Sequence, residues 1–311
     1  MQKETRSGAA AASDLTSDLD LTREELARLL DLAIEMKRTP VRYAQALAGR
    51  YLSLLFEKPS LRTRLTFELA IQQLGGGAVL STGPIGDREP LKDVARNLAR
   101  WTDAIVARTF LQQTIEDLAH WSSVPVINAL SDMYHPCQAL ADVLTLKERF
   151  GELRGLKLAY IGDGNNVAHS LMLTCVRLGM TCAVATPEGY SPNAEVAAKS
   201  RELAAQYGGA LELSHDPPAA VAGAHAVYTD VWASMGQESE AAKRRAVFQP
   251  FQVNESLMGQ APAHAIFLHC LPAKRGEETT DGVIESPRSA VFDQAENRLH
   301  VQKALLLTML G

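Results

Sequence analysis

Nine short apolar runs, four in the first half of the chain and five in the second, alternate with amphipathic stretches of helical period. That rhythm constrains the fold more than any other feature. Strands separated by helices need long crossover connections, so they pair in parallel and are covered on both faces. The expected strands are 51–56, 78–81, 104–107 and 124–128, then 157–161, 182–185, 211–213, 226–229 and 265–269. A helix over 22–36 opens on a Thr22/Glu25 capping box, with Leu26, Leu29, Leu30 and Ala33 at helical spacing. Another is expected over 136–149, with Pro136 suited to the first turn, before Gly151 and Gly155 punctuate the chain. The expectation is an α/β chain of two similar-sized domains, each a parallel sheet flanked by helices, with an active site in the cleft between them. Residues 21–150 would form the first and 151–311 the second, the C-terminal helix packing back on the first. Residues 1–20 read as a flexible lead-in, neither signal nor transit peptide.

Length and charge narrow the function classes. The 311 residues suffice for two buried cores, and 46% hydrophobic with 22% charged residues is the balance of a globular enzyme. A formal net charge of −5 supplies no general basic field for nucleic acid or anionic lipid. Apolar stretches such as 304–310 fall short of the ~20 residues that span a bilayer. Cys137, Cys175, Cys182 and Cys270 form no C-x-x-C pair, which argues for a reducing, cytoplasmic setting without a zinc site.

The polar and glycine-rich segments fall where apolar strands end: Glu57 to Arg64, Arg108, Asp163 to Asn166, Asp230, and His269 to Pro272. Open parallel sheets bind ligands at the carboxyl ends of their strands. Ser60 is a good N-cap for a helix beginning Leu61-Arg62-Thr63-Arg64, where first-turn amides and the helix dipole favour an anion. Arg62 and Arg64 diverge on a helix, so one of them is structural. An ordinary capped helix with surface arginines satisfies the same pattern, and no Walker A loop is present. Arg108 adds a second cation, for which a structural ion pair is the alternative. His135 and Gln138 add an imidazole and an amide at another strand-to-helix junction.

The stretches FEKPSLRTR, VARTF and HPCQALAD resemble the carbamoyl-phosphate half of the aspartate/ornithine carbamoyltransferase family. The resemblance implies that Ser60, Leu61, Arg62 and Thr63 hold the phosphate and that Arg108 bridges phosphate and carbonyl. His135 and Gln138 would then bind the carbamoyl oxygen and amine. In the second half, DVWASMG resembles the D-x-x-x-S-M-G loop of the ornithine-specific branch, HCLP resembles its H-C-L-P motif, Asn165-Asn166 matches as well, and Arg298 falls at the family's late arginine. By this resemblance Leu271 and Arg298 join the carbamoyl-phosphate set, while Asn166, Asp230, Ser234, Met235 and Cys270 meet ornithine. The chemistry agrees: an α-ammonium needs an anion such as Asp230, and the loop lacks the extra cations a second substrate carboxylate would require.

The implied reaction transfers a carbamoyl group from carbamoyl phosphate to the side-chain amine of L-ornithine, giving citrulline in arginine biosynthesis. Cys270, assisted by Asp230, would accept or relay the amine proton, and Arg108, His135 and Thr63 would stabilise the oxyanion. No metal or organic cofactor is needed, and the family assembles as trimers.

Leu61 stands where many members have Thr, and the 81–90 loop is short, with Pro84 where a glutamine is common. In the family this loop reaches a neighbouring subunit's site. Rival readings are transfer to putrescine or an N-acylornithine, a nicotinamide-dependent oxidoreductase suggested by GDGNN, and a non-enzymatic binding protein. Val167 occupies the third glycine's place of a dinucleotide fingerprint.

Overall fold

The computed structural model describes residues 14–233 and 240–311. The chain divides into two compact units, Met1–Asp132 with Leu299–Gly311, and Met133–Arg298.

The first unit holds helix α1 (Arg23–Arg38), strand β1 (Tyr51–Phe56), α2 (Leu61–Gln73), β2 (Gly77–Thr82), α3 (Leu91–Trp101), β3 (Ala104–Arg108), α4 (Gln112–Trp121) and β4 (Val126–Leu130). Both reciprocal bonds of the Thr22/Glu25 box are present, and α1 buries Leu26, Leu29, Leu30, Ala33 and Met36. The four strands lie in the order β2-β1-β3-β4, all parallel. Under them Leu55, Ile105, Ala107, Ile115, Leu118 and Val126 form an apolar core. On α2, Phe67, Ala70 and Ile71 face inward, whereas Leu61, Leu65 and Leu69, one turn apart, are exposed.

Residues 14–20, expected as part of a flexible lead-in, are held in place. Leu15 is fully buried, its N–H donates to the Val126 carbonyl, and its carbonyl accepts from Asn128 N–H. The Asp20 carboxylate closes the turn by accepting from Thr16 and Ser17.

The second unit begins with α5 (Pro136–Phe150), which packs on α6 (Asn166–Arg177). Its strands are β5 (Lys157–Ile161), β6 (Thr181–Ala185), β7 (Ala210–Ser214), β8 (Ala226–Thr229) and β9 (Ile266–His269). Helices α7 (Ala194–Tyr207), α8 (Pro217–Val221), α9 (Ala241–Phe248), α10 (Glu255–Gln260) and α11 (Asp281–Ile284) complete it, and α12 (Val291–Leu310) begins in it. The order β7-β6-β5-β8-β9 is again all parallel.

Both sheets reverse their winding direction at one place. In the first, β1 connects outward to β2 while β3 lies on its other side; in the second, β5 stands in the same relation to β6 and β8. The crevice at such a reversal is where open α/β sheets bind ligands. The Ser60 loop and Arg108 flank the first reversal, and residues 162–166 and Asp230 flank the second. No helix among the described residues is long and apolar enough to cross a membrane.

Candidate active site

In the first unit, Ser60 caps α2 by accepting from Thr63 N–H at 3.2 Å. Arg64 is the structural arginine of the pair: half exposed, it donates to Glu68 one turn on, at 3.0 Å. Arg62 is half-buried and Thr63 is buried. Leu61 has an exposed side chain, so only its backbone can serve a ligand at the helix start. Arg108 is buried as the last residue of β3, where pairing with β4 slips by one residue between Ala107 and Arg108. Such a slip bends a strand end and re-aims the side chain there. Glu57, unremarked as a site residue from sequence, ties the surrounding loops together. Its carboxylate accepts from Ile85 N–H at 3.2 Å and Phe110 N–H at 2.8 Å. Ile85 packs on the core of its own unit, so the short 81–90 loop is anchored at that residue.

In the second unit, His135 occupies the N-cap position of α5, buried, its N–H donating to Ser170 Oγ at 2.8 Å. His169 supports the preceding turn. Its Nε2 accepts from Asn193 N–H, which leaves the ring proton on Nδ1 to donate to the Met133 carbonyl, both at 2.9 Å. Gln138 and Arg298 are buried together, Arg298 Nη1 donating to Gln138 Oε1 at 2.8 Å.

Asp230 gathers three donors at the end of β8. Its Oδ1 accepts from Cys270 Sγ at 3.0 Å and Val231 N–H at 2.8 Å, and its Oδ2 accepts from Asn165 Nδ2 at 2.8 Å. Asn165 is also the N-cap of α6, its Oδ1 accepting from Val167 and Ala168 N–H. One residue thus starts a helix and orients the key carboxylate, while Asn166 sits half-buried in the first turn. Ser234 and Met235 lie outside the described residues.

The end of β9 is set by a second relay. Leu271 N–H donates to His269 Nδ1 at 2.8 Å, so the ring proton is on Nε2, which donates to the buried Glu278 carboxylate at 3.1 Å. The hydrogen-bonded Leu271 has a left-handed backbone, φ 55°, a conformation costly for a residue with a side chain unless its surroundings impose it. Asp163 and Arg244 form a buried pair at 2.8 Å, and Arg244 also donates to the Trp232 carbonyl, fixing the chain just after Asp230.

The glycine motif is not a dinucleotide cradle. A Cβ on Gly164 would come within 2.3 Å of Pro192 N, and Gly164 N–H already donates to the Tyr190 carbonyl at 2.9 Å. The close approach is to the protein's own backbone rather than to a pyrophosphate.

Residues 13–148 match the family model described as the aspartate/ornithine carbamoyltransferase carbamoyl-P binding domain, and residues 154–309 match its Asp/Orn binding domain. The chain belongs to the aspartate/ornithine carbamoyltransferase family. It is 52% identical over 303 residues to the ornithine carbamoyltransferase of Anoxybacillus flavithermus, covering 96% of each chain. It is 52% identical over 306 residues to that of Thermococcus kodakarensis, covering 97% of each. The solved ornithine carbamoyltransferase of Pyrococcus furiosus superposes with a TM-score of 0.94 at 50% identity, over 97% of this chain and 98% of that one.

In this member of the carbamoyltransferase family, burial controls the electrostatics around Asp230 and Cys270. Enclosure, then the neighbouring Asp230 charge, push the Cys270 thiol well above its usual range, so it stays protonated and acts as a donor. Tyr160 and Tyr228, paired across β5 and β8, are likewise raised by burial and by the carboxylates near them. Asp230, His269 and Cys270 offer ligand atoms within 4.8 Å of one another. Both ring nitrogens of His269 and the thiol are already engaged, so this trio is hydrogen-bonded rather than open to a metal ion.

Proposed function

We propose that the chain transfers the carbamoyl group of carbamoyl phosphate to the side-chain amine of L-ornithine, yielding citrulline and phosphate. The observation that carries this reading is the Asp230 carboxylate, oriented by Asn165 and holding the Cys270 thiol at 3.0 Å at the winding reversal of the second sheet. An oriented carboxylate with a proton donor attached suits a substrate that brings an ammonium and must lose a proton.

In this reading Ser60, the Leu61 backbone, Arg62, Thr63 and Arg108 hold the phosphate. His135, Gln138, Arg298 and the Leu271 backbone serve the carbamoyl group, and Asn166, Asp230, Ser234, Met235 and Cys270 serve ornithine. The substrate amine, mostly protonated in water, loses its proton towards the Cys270–Asp230 pair. The thiol already shares its hydrogen with Asp230, so the carboxylate is the basic end of the relay. The neutral amine forms the new C–N bond, and charge collects on the carbamoyl oxygen, where Arg108, Thr63 and His135 act as donors. The C–O bond to phosphate then breaks, and the phosphate leaves with its electron pair and takes the second proton from the nitrogen that attacked. No cofactor enters these steps.

Functionally α5 counts with the carbamoyl-phosphate half, residues 21–150, and residues 151–311 with the ornithine half. The exposed Leu61, Leu65 and Leu69 row supports self-association, for which we propose the trimer. A cytoplasmic, arginine-forming role accords with free cysteines and the reaction itself. The test is turnover with ornithine, putrescine and N-acetylornithine in parallel. Preference for either alternative amine would replace the ornithine reading, and no carbamoyl transfer at all would leave a binding protein. Light scattering giving a mass other than a multiple of three 33.7 kDa chains would reject the trimer.

A further inference from the structure

Asp142 sits on α5 one turn beyond Gln138, fully enclosed, and no step above uses it. A carboxylate taken out of water must be compensated by donors, so what surrounds it is informative. A single oxygen, Oδ1, accepts from Gln138 Nε2 at 2.8 Å and from Gln294 Nε2 at 2.6 Å. The Asp142 Oδ1 that takes both amides is an acceptor, and a guanidinium can only donate. Gln138 is therefore pinned from both ends, nitrogen to Asp142 and oxygen to Arg298. Flipping its amide would set oxygen against carboxylate and NH2 against guanidinium. Gln294 continues the chain, its Oε1 accepting from the N–H of His269, the residue before Cys270, at 2.9 Å.

We propose that Asp142 is a positioning residue for carbamoyl transfer: it fixes the Gln138 amide in one orientation and, through Gln294, ties that amide to the strand end bearing Cys270. The inference rests on Gln138 being a carbamoyl contact. So held, Gln138 presents one N–H and one oxygen lone pair in a set order, matching the C=O and NH2 of a carbamoyl group. Without Asp142 only the Arg298 contact holds the amide, and its nitrogen end is free to swing out of register with the carbamoyl group. The Gln294 link makes the carbamoyl-side amide and the acceptor-side thiol parts of one hydrogen-bonded frame.

The test compares Asp142→Ala, Asp142→Asn and Gln294→Met with the wild type, measuring kcat, KM for each substrate and Tm. Asp142→Ala should lower kcat by about 10- to 100-fold and raise the carbamoyl-phosphate KM, well below its own melting temperature. Asn keeps an oxygen able to accept from both amides, so Asp142→Asn should stay within about fivefold of wild type. Gln294→Met should raise the ornithine KM more than the carbamoyl-phosphate KM. Equal impairment by Ala and Asn, or an Ala variant with lowered Tm but unchanged kinetics, overturns the proposal. If Asp142→Ala does not fold, the other two variants decide, and a large loss in Asp142→Asn overturns it. Should the wild type make no citrulline, the functional reading fails separately. The frame is then read from the Gln138 side-chain amide by NMR: slow exchange with solvent and a displaced proton shift for the hydrogen-bonded N–H in wild type and Asp142→Asn, with faster exchange and a shift towards the free-amide position in Asp142→Ala or, if that does not fold, a changed shift in Gln294→Met; unchanged shifts and exchange would overturn it.

Discussion

The Cys270 thiol donates to the Asp230 carboxylate at 3.0 Å, across the ends of two adjacent strands. Removing the sulfur while keeping a donor separates relay from packing. Cys270→Ser should retain measurable turnover and Cys270→Ala should lose about 10- to 100-fold in kcat. Carbamoyl-phosphate affinity should be unchanged in both. Because burial holds the thiol above its usual range, wild-type alkylation by iodoacetamide should stay slow at pH 8 and quicken only under alkaline conditions. Rapid modification at neutral pH would contradict the protonated thiol.

Arg62 and Arg64 separate cleanly. Arg62→Ala should weaken carbamoyl-phosphate binding by about 10- to 100-fold, the worth of a charge-assisted hydrogen bond. Arg64 reaches Glu68 on the surface, and Arg64→Ala should change affinity by less than about threefold. Calorimetric titration with carbamoyl phosphate reads both; the reverse order would remove the phosphate assignment.

The Asp163–Arg244 pair is a stability prediction. Both side chains are about nine-tenths enclosed, so Arg244→Met alone leaves a buried charge and should cost about 3–5 kcal/mol. Adding Asp163→Asn should recover part of that loss. Urea unfolding of the single and double variants checks it, and additive losses would mean the two residues act separately.

Asp142 carries a pH signature. Burial raises its pKa to about 7, against the lowering pull of the Gln138 and Gln294 amides, the Tyr228 hydroxyl and Arg298. The folded state therefore binds this proton more tightly than the unfolded one, whose value is near 3.9. Between those values stability falls as pH rises, and it levels off above about 7. Asp142→Asn lacks that contribution, so the stability difference should move in the variant's favour from about pH 5 to about pH 8. Parallel curves would place the carboxylate's titration elsewhere.

Much of this architecture is legible in the residues themselves. Strands β1, β5 and β8 begin and end where their apolar runs do, and the other strands differ by a residue or two, because only strand-length runs between helices fit a parallel sheet. Strand order is a different matter. That β1 and β5 stand at winding reversals follows from tertiary pairing, which no local pattern encodes. Ser60, Arg108 and Asp230 stood out because polar residues at strand ends are conspicuous. Asp142, Gln294 and Glu278 did not, since acids and amides within helices and loops ordinarily read as solvated positions. Asn165 was eclipsed by its neighbour, because choosing between two adjacent asparagines needs the cap geometry. Leu15 was hidden in a mostly polar lead-in where nothing local distinguishes it from the exposed Leu19, and its burial depends on an edge strand far along the chain.

The most direct test of the account is citrulline formation from ornithine and carbamoyl phosphate by the wild type and by Asp230→Asn. Asn is the same size but can take up no proton and offers the substrate's ammonium no charge. The account predicts robust turnover in the wild type, a kcat lowered by at least about 100-fold in the variant, a raised ornithine KM, and intact carbamoyl-phosphate binding. Wild-type turnover matched by the variant would contradict it.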